Sequence, residues 1–101
     1  MGSKQQRWPF PVGPDARAAT TKRIVHEGHP ILAVVHDIDG DWEFIDNGPL
    51  ELDDLMLVHL AHIVEHYPEV IEFADLPPGW EARQVDATSD WRRSPLTVEP
   101  N

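Results

Sequence analysis

There is no cysteine in the 101-residue chain, which excludes disulfides, thiolate zinc sites, iron–sulfur clusters and a cysteine nucleophile. Basic residues are scarce: eight Lys and Arg stand against eighteen Asp and Glu, for a net charge of -10. A body with that charge repels nucleic acid and anionic membranes, so polyanion binding is disfavoured. No apolar run reaches the roughly 18 residues a membrane span needs. The best one, Leu55 to Val64, is interrupted by His59 and His62. An apolar signal-peptide core is missing before Pro9, Pro11 and Pro14, and the expected location is cytoplasmic. The three serines, Ser3, Ser89 and Ser94, lie outside any nucleophile-elbow pattern, and the six glycines form no phosphate-cradling loop.

What is present suffices for one small domain: 41% of the residues are hydrophobic, too many for a disordered acidic tail. Charge is segregated along the chain. Residues 1 to 30 hold five basic residues (Lys4, Arg7, Arg17, Lys22, Arg23) against Asp15 and Glu27, whereas residues 31 to 82 hold thirteen carboxylates and no Lys or Arg. Like charges at that density either stay solvated, draw the basic ends back over the body, or face a basic partner. Residues 1–19, rich in proline, read as an N-terminal arm, 20–93 as a single α+β domain and 94–101 as a C-terminal tail. Within the arm Trp8, Phe10 and Val12 alternate, which suits an extended strip laid over the chain's own core.

Thr20 or Thr21 is placed to cap a short helix through Ile24 and Val25, with Gly28 as its left-handed stop. Residues 31 to 37 and 42 to 46 are β-branched and aromatic runs around Asp39-Gly40, a hairpin signal. A two-residue turn there sets His36 opposite Glu43. Leu52, Leu55, Met56, Leu60, Ile63, Val64 and Tyr67 mark a helical stripe, so one long helix is expected up to Pro68, followed by a short one to Asp75. Trp80 to Asp86 completes a third strand antiparallel to the hairpin. The expected fold is therefore α+β, a three-stranded antiparallel sheet with one long helix and one or two short helices packed on it.

The segments His36-Asp37-Ile38-Asp39-Gly40-Asp41-Trp42-Glu43-Phe44, His62-Ile63-Val64-Glu65 ahead of Pro68, Asp75-Leu76-Pro77-Pro78-Gly79-Trp80-Glu81-Ala82-Arg83 and Trp91-Arg92-Arg93 together resemble a family of small uncharacterised bacterial proteins. That family, a domain of unknown function, carries His-Asp…Gly-x-Trp-x-Phe and Leu-Pro-x-Gly-Trp segments, and the likeness spans roughly residues 20 to 93. It implies a bacterial single-domain protein and supplies no activity.

Four constellations carry chemistry. His59, His62 and His66, spaced i, i+3, i+7 on the expected helix with Glu65 and Glu69 nearby, suit zinc or nickel, although the glutamate is not placed as in His-Glu-x-x-His. Asp37, Asp39 and Asp41 alternate at the turn, but an EF-hand starting at Asp37 needs Gly and Glu where Trp42 and Gly48 stand, so turn chemistry accounts for them. His36 with Glu43 is a candidate acid/base pair or simply a surface ion pair. Of the four tryptophans, Trp42 and Trp80 suit the core, and Trp91 beside Arg92 and Arg93 suits an exposed anchor or a cation–π lid. The leading expectation is a non-enzymatic protein-interaction module of immunity, inhibitor or adaptor type, in which Asp37, Asp39, Asp41, Asp53, Asp54 and Trp91 engage a basic protein. The alternative is a metal-dependent or acid/base enzyme built on the helix histidines. A third reading is a homodimer through the second sheet face.

Overall fold

The computed structural model describes residues 8–48 and 51–96. Strand β1, Arg17–Thr21, runs directly into helix α1, Lys22–Glu27. The Thr21 hydroxyl accepts the Ile24 amide and Gly28 stops the helix at φ +71°, so the expected cap and stop are both in place. There follow β2 (Ala33–His36), β3 (Trp42–Ile45), a 3-10 turn (Leu52–Asp54), β4 (Leu55–His59), α2 (Leu60–His66), a 3-10 segment (Pro68–Phe73), β5 (Trp80–Arg83) and β6 (Arg92–Pro95). All strands join one sheet in the order β4-β1-β3-β2-β5-β6, antiparallel except for the parallel pair β1 and β3.

The α+β class stands, but the three-stranded antiparallel sheet with one long helix does not: the sheet is six-stranded and mixed, and the helices are short. The long helix fails at its first half. Leu55–His59 pair with β1 from Thr21–Leu55 to Arg17–His59 as an antiparallel strand. These residues fit two periods at once, since Leu55, Leu57 and His59 alternate with Met56 and Val58. The unpaired side of β1 settles the competition, because tertiary pairing outweighs a weak local preference. The helix can then begin only at Leu60, where the Leu60 amide donates to the Ala16 carbonyl (2.7 Å) and the Ala61 amide to that of Pro14 (3.0 Å). Two of the helix's orphan N–H groups are thereby satisfied.

The hairpin forms one residue out of the expected register. Gly40, at φ +95°, donates its amide to the Asp37 carbonyl, and the Asp37 amide donates to that of Asp41 (both 2.9 Å). That is a three-residue loop closed by a glycine bulge instead of a two-residue turn. The Asp37 carboxylate holds it by accepting the amides of Asp39 (2.9 Å) and Asp41 (3.0 Å). His36 consequently lies opposite Trp42, and Glu43 opposite Val35 on the other face. β5 pairs antiparallel with β2, as expected.

The two faces are unequal. Ala18, Val34, Trp42, Phe44 and Ala82 of one face share a buried cluster with Ile24, Leu60, Ile63, Val70 and Phe73 of the helical segments. None of the second-face residues Ala33, Val35 and Ile45 belongs to that cluster, so among the described residues the helices pack on one side. Phe10 is buried edge-on to Trp42 (5.0 Å between ring centres), with Trp8 and Val12 at the margin of the core, which is the covering role expected of the arm. The sheet also takes in Arg17–Ala19 from the expected arm and Ser94–Pro95 from the expected tail.

Candidate functional site: an unguarded sheet edge beside a carboxylate cluster

A sheet edge exposes unpaired N–H and C=O groups, and proteins ordinarily guard it with charge or proline. The two edges of this sheet differ in that respect. β6 reads Arg-Arg-Ser-Pro, with both common guards in four residues. β4 reads Leu-Met-Leu-Val-His and has neither Lys, Arg nor Pro. Leu57 is 65% exposed and Leu55 36% exposed on the face that carries no helix.

β4 lies between two hollows, and Arg17 and Leu57 line both. On the helix side Val25, Met56, Val58, His59 and His62 complete a groove of about 500 Å³. On the other side Ala19, Asp37, Asp41, Trp42 and Glu43 complete one of about 290 Å³. Glu43 is half-buried there, and its carboxyl is pushed above the usual range first by burial and then by the charges of Asp37 and Asp41, with Arg83 opposing. The register shift that sends Glu43 to this face thus builds a crowded anionic corner beside an exposed leucine.

The five carboxylates expected to form one surface fall into two groups. Asp37, Asp39 and Asp41 belong to the hairpin loop, level with the Ala18 end of β1, whereas Asp53 and Asp54 precede Leu55 at the Thr21 end. Four strand residues span roughly 13 Å. Asp54 is moreover engaged by Arg23 (3.2 Å), whose guanidinium also grips Asp46 with two bonds of 2.9 Å. Asp46 also accepts the Gly48 amide (3.1 Å), and the Arg23 bonds hold its carboxyl at about 2, below the ordinary 3.8.

Trp91 is not an exposed anchor. It is half-buried against Phe73 (4.6 Å), over whose ring Arg93 also lies (5.3 Å) while donating to Asp75 and the Glu72 carbonyl (each 3.0 Å). Nor is His36 an acid/base partner of Glu43: it is buried, stacked on Trp42 at 3.9 Å, and its Nδ1–H donates to the Leu76 carbonyl (2.7 Å). The Gly79 amide returns a bond to the His36 carbonyl (2.6 Å), so the His-Asp…Trp and Leu-Pro-Pro-Gly-Trp segments pin one another as structure.

Of the three expected metal ligands, His59 ends β4 and is no longer in helical spacing with the others. His62 and His66 do meet on α2, with ring centres 4.5 Å apart, and Glu65 joins them. Sequence reasoning overlooked β4 as an edge because its residues were absorbed into the helical stripe. The signal was the uncharged alternation Leu55-x-Leu57-x-His59. Family models, curated proteins and solved structures return no match to this chain, and the functional reading rests on its own residues.

Proposed function

We propose that this chain is a non-enzymatic protein-interaction module, of inhibitor, immunity or adaptor type, that takes up an extended basic segment of another protein along the outer edge of β4. The observation that carries the reading is the contrast between edges: β6 has Arg92, Arg93 and Pro95, and β4 has exposed leucines and no such guard. Strand addition supplies main-chain hydrogen bonds for affinity, and the two flanking hollows receive alternate side chains for specificity. Covering a largely exposed leucine contributes about 1 to 2 kcal/mol.

Charge selects the partner. Asp37, Asp41 and Glu43 outnumber Arg17 in the hollow that Leu57 shares, and a lysine or arginine placed there relieves the like-charge crowding that, after burial, raises the Glu43 carboxyl. Two copies each at -10 repel, which disfavours β4 pairing with itself. Among the described residues no helix is long and apolar enough to cross a membrane.

The test is an NMR titration with a short peptide of alternating valine and lysine, with a valine–glutamate peptide as control. The lysine peptide is expected to shift the amides of Leu55–His59 and to bind more weakly as salt rises. Unmoved β4 amides, equal binding of the acidic peptide, or a solution mass showing β4-paired dimers would each overturn the reading.

A further inference from the structure

Helix α2 turns Leu60 and Ile63 into the core and leaves His62, Glu65 and His66 on its outer side. The two histidines are four residues apart and so lie one above the other, with ring centres separated by 4.5 Å at a tilt of 52°. Glu65 stands between them in sequence. One ligand atom from each of the three lies within 4.8 Å of the other two. Ligands around a tetrahedral zinc with bonds of about 2.0 Å sit about 3.3 Å apart, so small rotations of exposed side chains close the set. Among the described residues none of the three makes a hydrogen bond or an ion pair that would assign it another task.

We infer that His62, Glu65 and His66 form a binding site for a divalent transition ion, zinc in the first place, and nickel by the same donor set. Two imidazoles and a carboxylate are a borderline-soft N/N/O set suited to these ions and unsuited to calcium or magnesium, which take oxygen ligands throughout. The set replaces His59, which lies at the end of β4, with Glu65.

The surroundings favour occupancy with coordination positions to spare. His62 and His66 also line a cavity of about 300 Å³ between α1 and α2, whose floor is Ile24, Val25 and Ile63. The Tyr67 hydroxyl, which lines it as well, already donates toward the carbonyls of Ile24 and His29 (each 3.0 Å) and holds the two helices in place. An ion held by three protein ligands retains at least one position for water or a small anion at the mouth of this cavity.

The experiment is titration of the metal-free full chain with zinc chloride, followed by NMR of the imidazole resonances and by calorimetry. One ion per chain is expected, moving the signals of His62 and His66 and leaving those of His26, His29, His36 and His59 in place. Glu65→Gln and His62→Gln are each expected to weaken binding about tenfold or more with an unchanged melting temperature. Uniform broadening of all histidines, absence of saturation at one ion, or undiminished affinity of Glu65→Gln would overturn the site. Loss of folding in His62→Gln leaves Glu65→Gln as the deciding variant, since its side chain is exposed.

Discussion

Arg23 and Asp46 are 23 residues apart in sequence and form a two-pronged, charge-assisted bond at 2.9 Å with Asp46 only 9% exposed. Gly48 belongs to the same knot: a Cβ there would approach the guanidinium to 3.2 Å. Removing the cation leaves the buried Asp46 carboxylate with only the Gly48 amide (3.1 Å) and the His29 ring (3.5 Å), so Arg23→Ala is expected to cost about 1 to 3 kcal/mol in a denaturant melt at neutral pH. The pH dependence follows from the depressed acid. The Asp46 pair contributes its stability above the ordinary carboxyl value of 3.8 and loses it as pH falls through about 2, an effect of roughly 2 kcal/mol. Wild type should therefore lose more stability than Arg23→Ala between neutral pH and about pH 2. Equal losses would mean that Asp46 is not held by Arg23.

At the scale of elements, β4 and β6 are opposite answers to one problem. Leu57→Lys gives β4 the guard that β6 already has, and because Leu57 is 65% exposed the change should alter stability by no more than about 0.5 kcal/mol. It should nevertheless abolish uptake of the basic peptide, measured by calorimetry, both by placing a like charge at the edge and by removing the apolar contact. Undiminished uptake would locate the docking surface elsewhere. These edges also show what was legible in the sequence. An α1 cap at Thr20 or Thr21, the Gly28 stop, the existence of the hairpin and the third strand at Trp80 follow from local chemistry, and all are found, the cap falling on Thr21. The hairpin register was not legible, because the Asp37 carboxylate captures the amides of Asp39 and Asp41 and adds a residue to the loop. The fate of Leu55–His59 was not legible either, since it depended on a strand, Arg-Ala-Ala-Thr-Thr, too weakly patterned to be seen beforehand. Of the candidate sites, two of the three histidines came together and the single acidic surface did not.

For the molecule as a whole, net charge and sheet architecture point in the same direction. The described carboxylates are only partly neutralised by Arg23, Arg83 and Arg93, and the helices cover one face of the sheet. On the proposed reading such a body would attract cationic chains over a distance set by salt, about 30 Å at 0.01 M and about 8 Å at 0.15 M, and would present β4 to them as the pairing edge. The most direct test is amide hydrogen exchange along β4 and β6 with and without the valine–lysine peptide at low salt. The account requires the outward amides of Leu55–His59 to exchange rapidly in the free chain and to become protected when the peptide is added, with β6 unchanged. Protection that arises at β6 instead, or β4 amides that exchange alike in both samples, would contradict it.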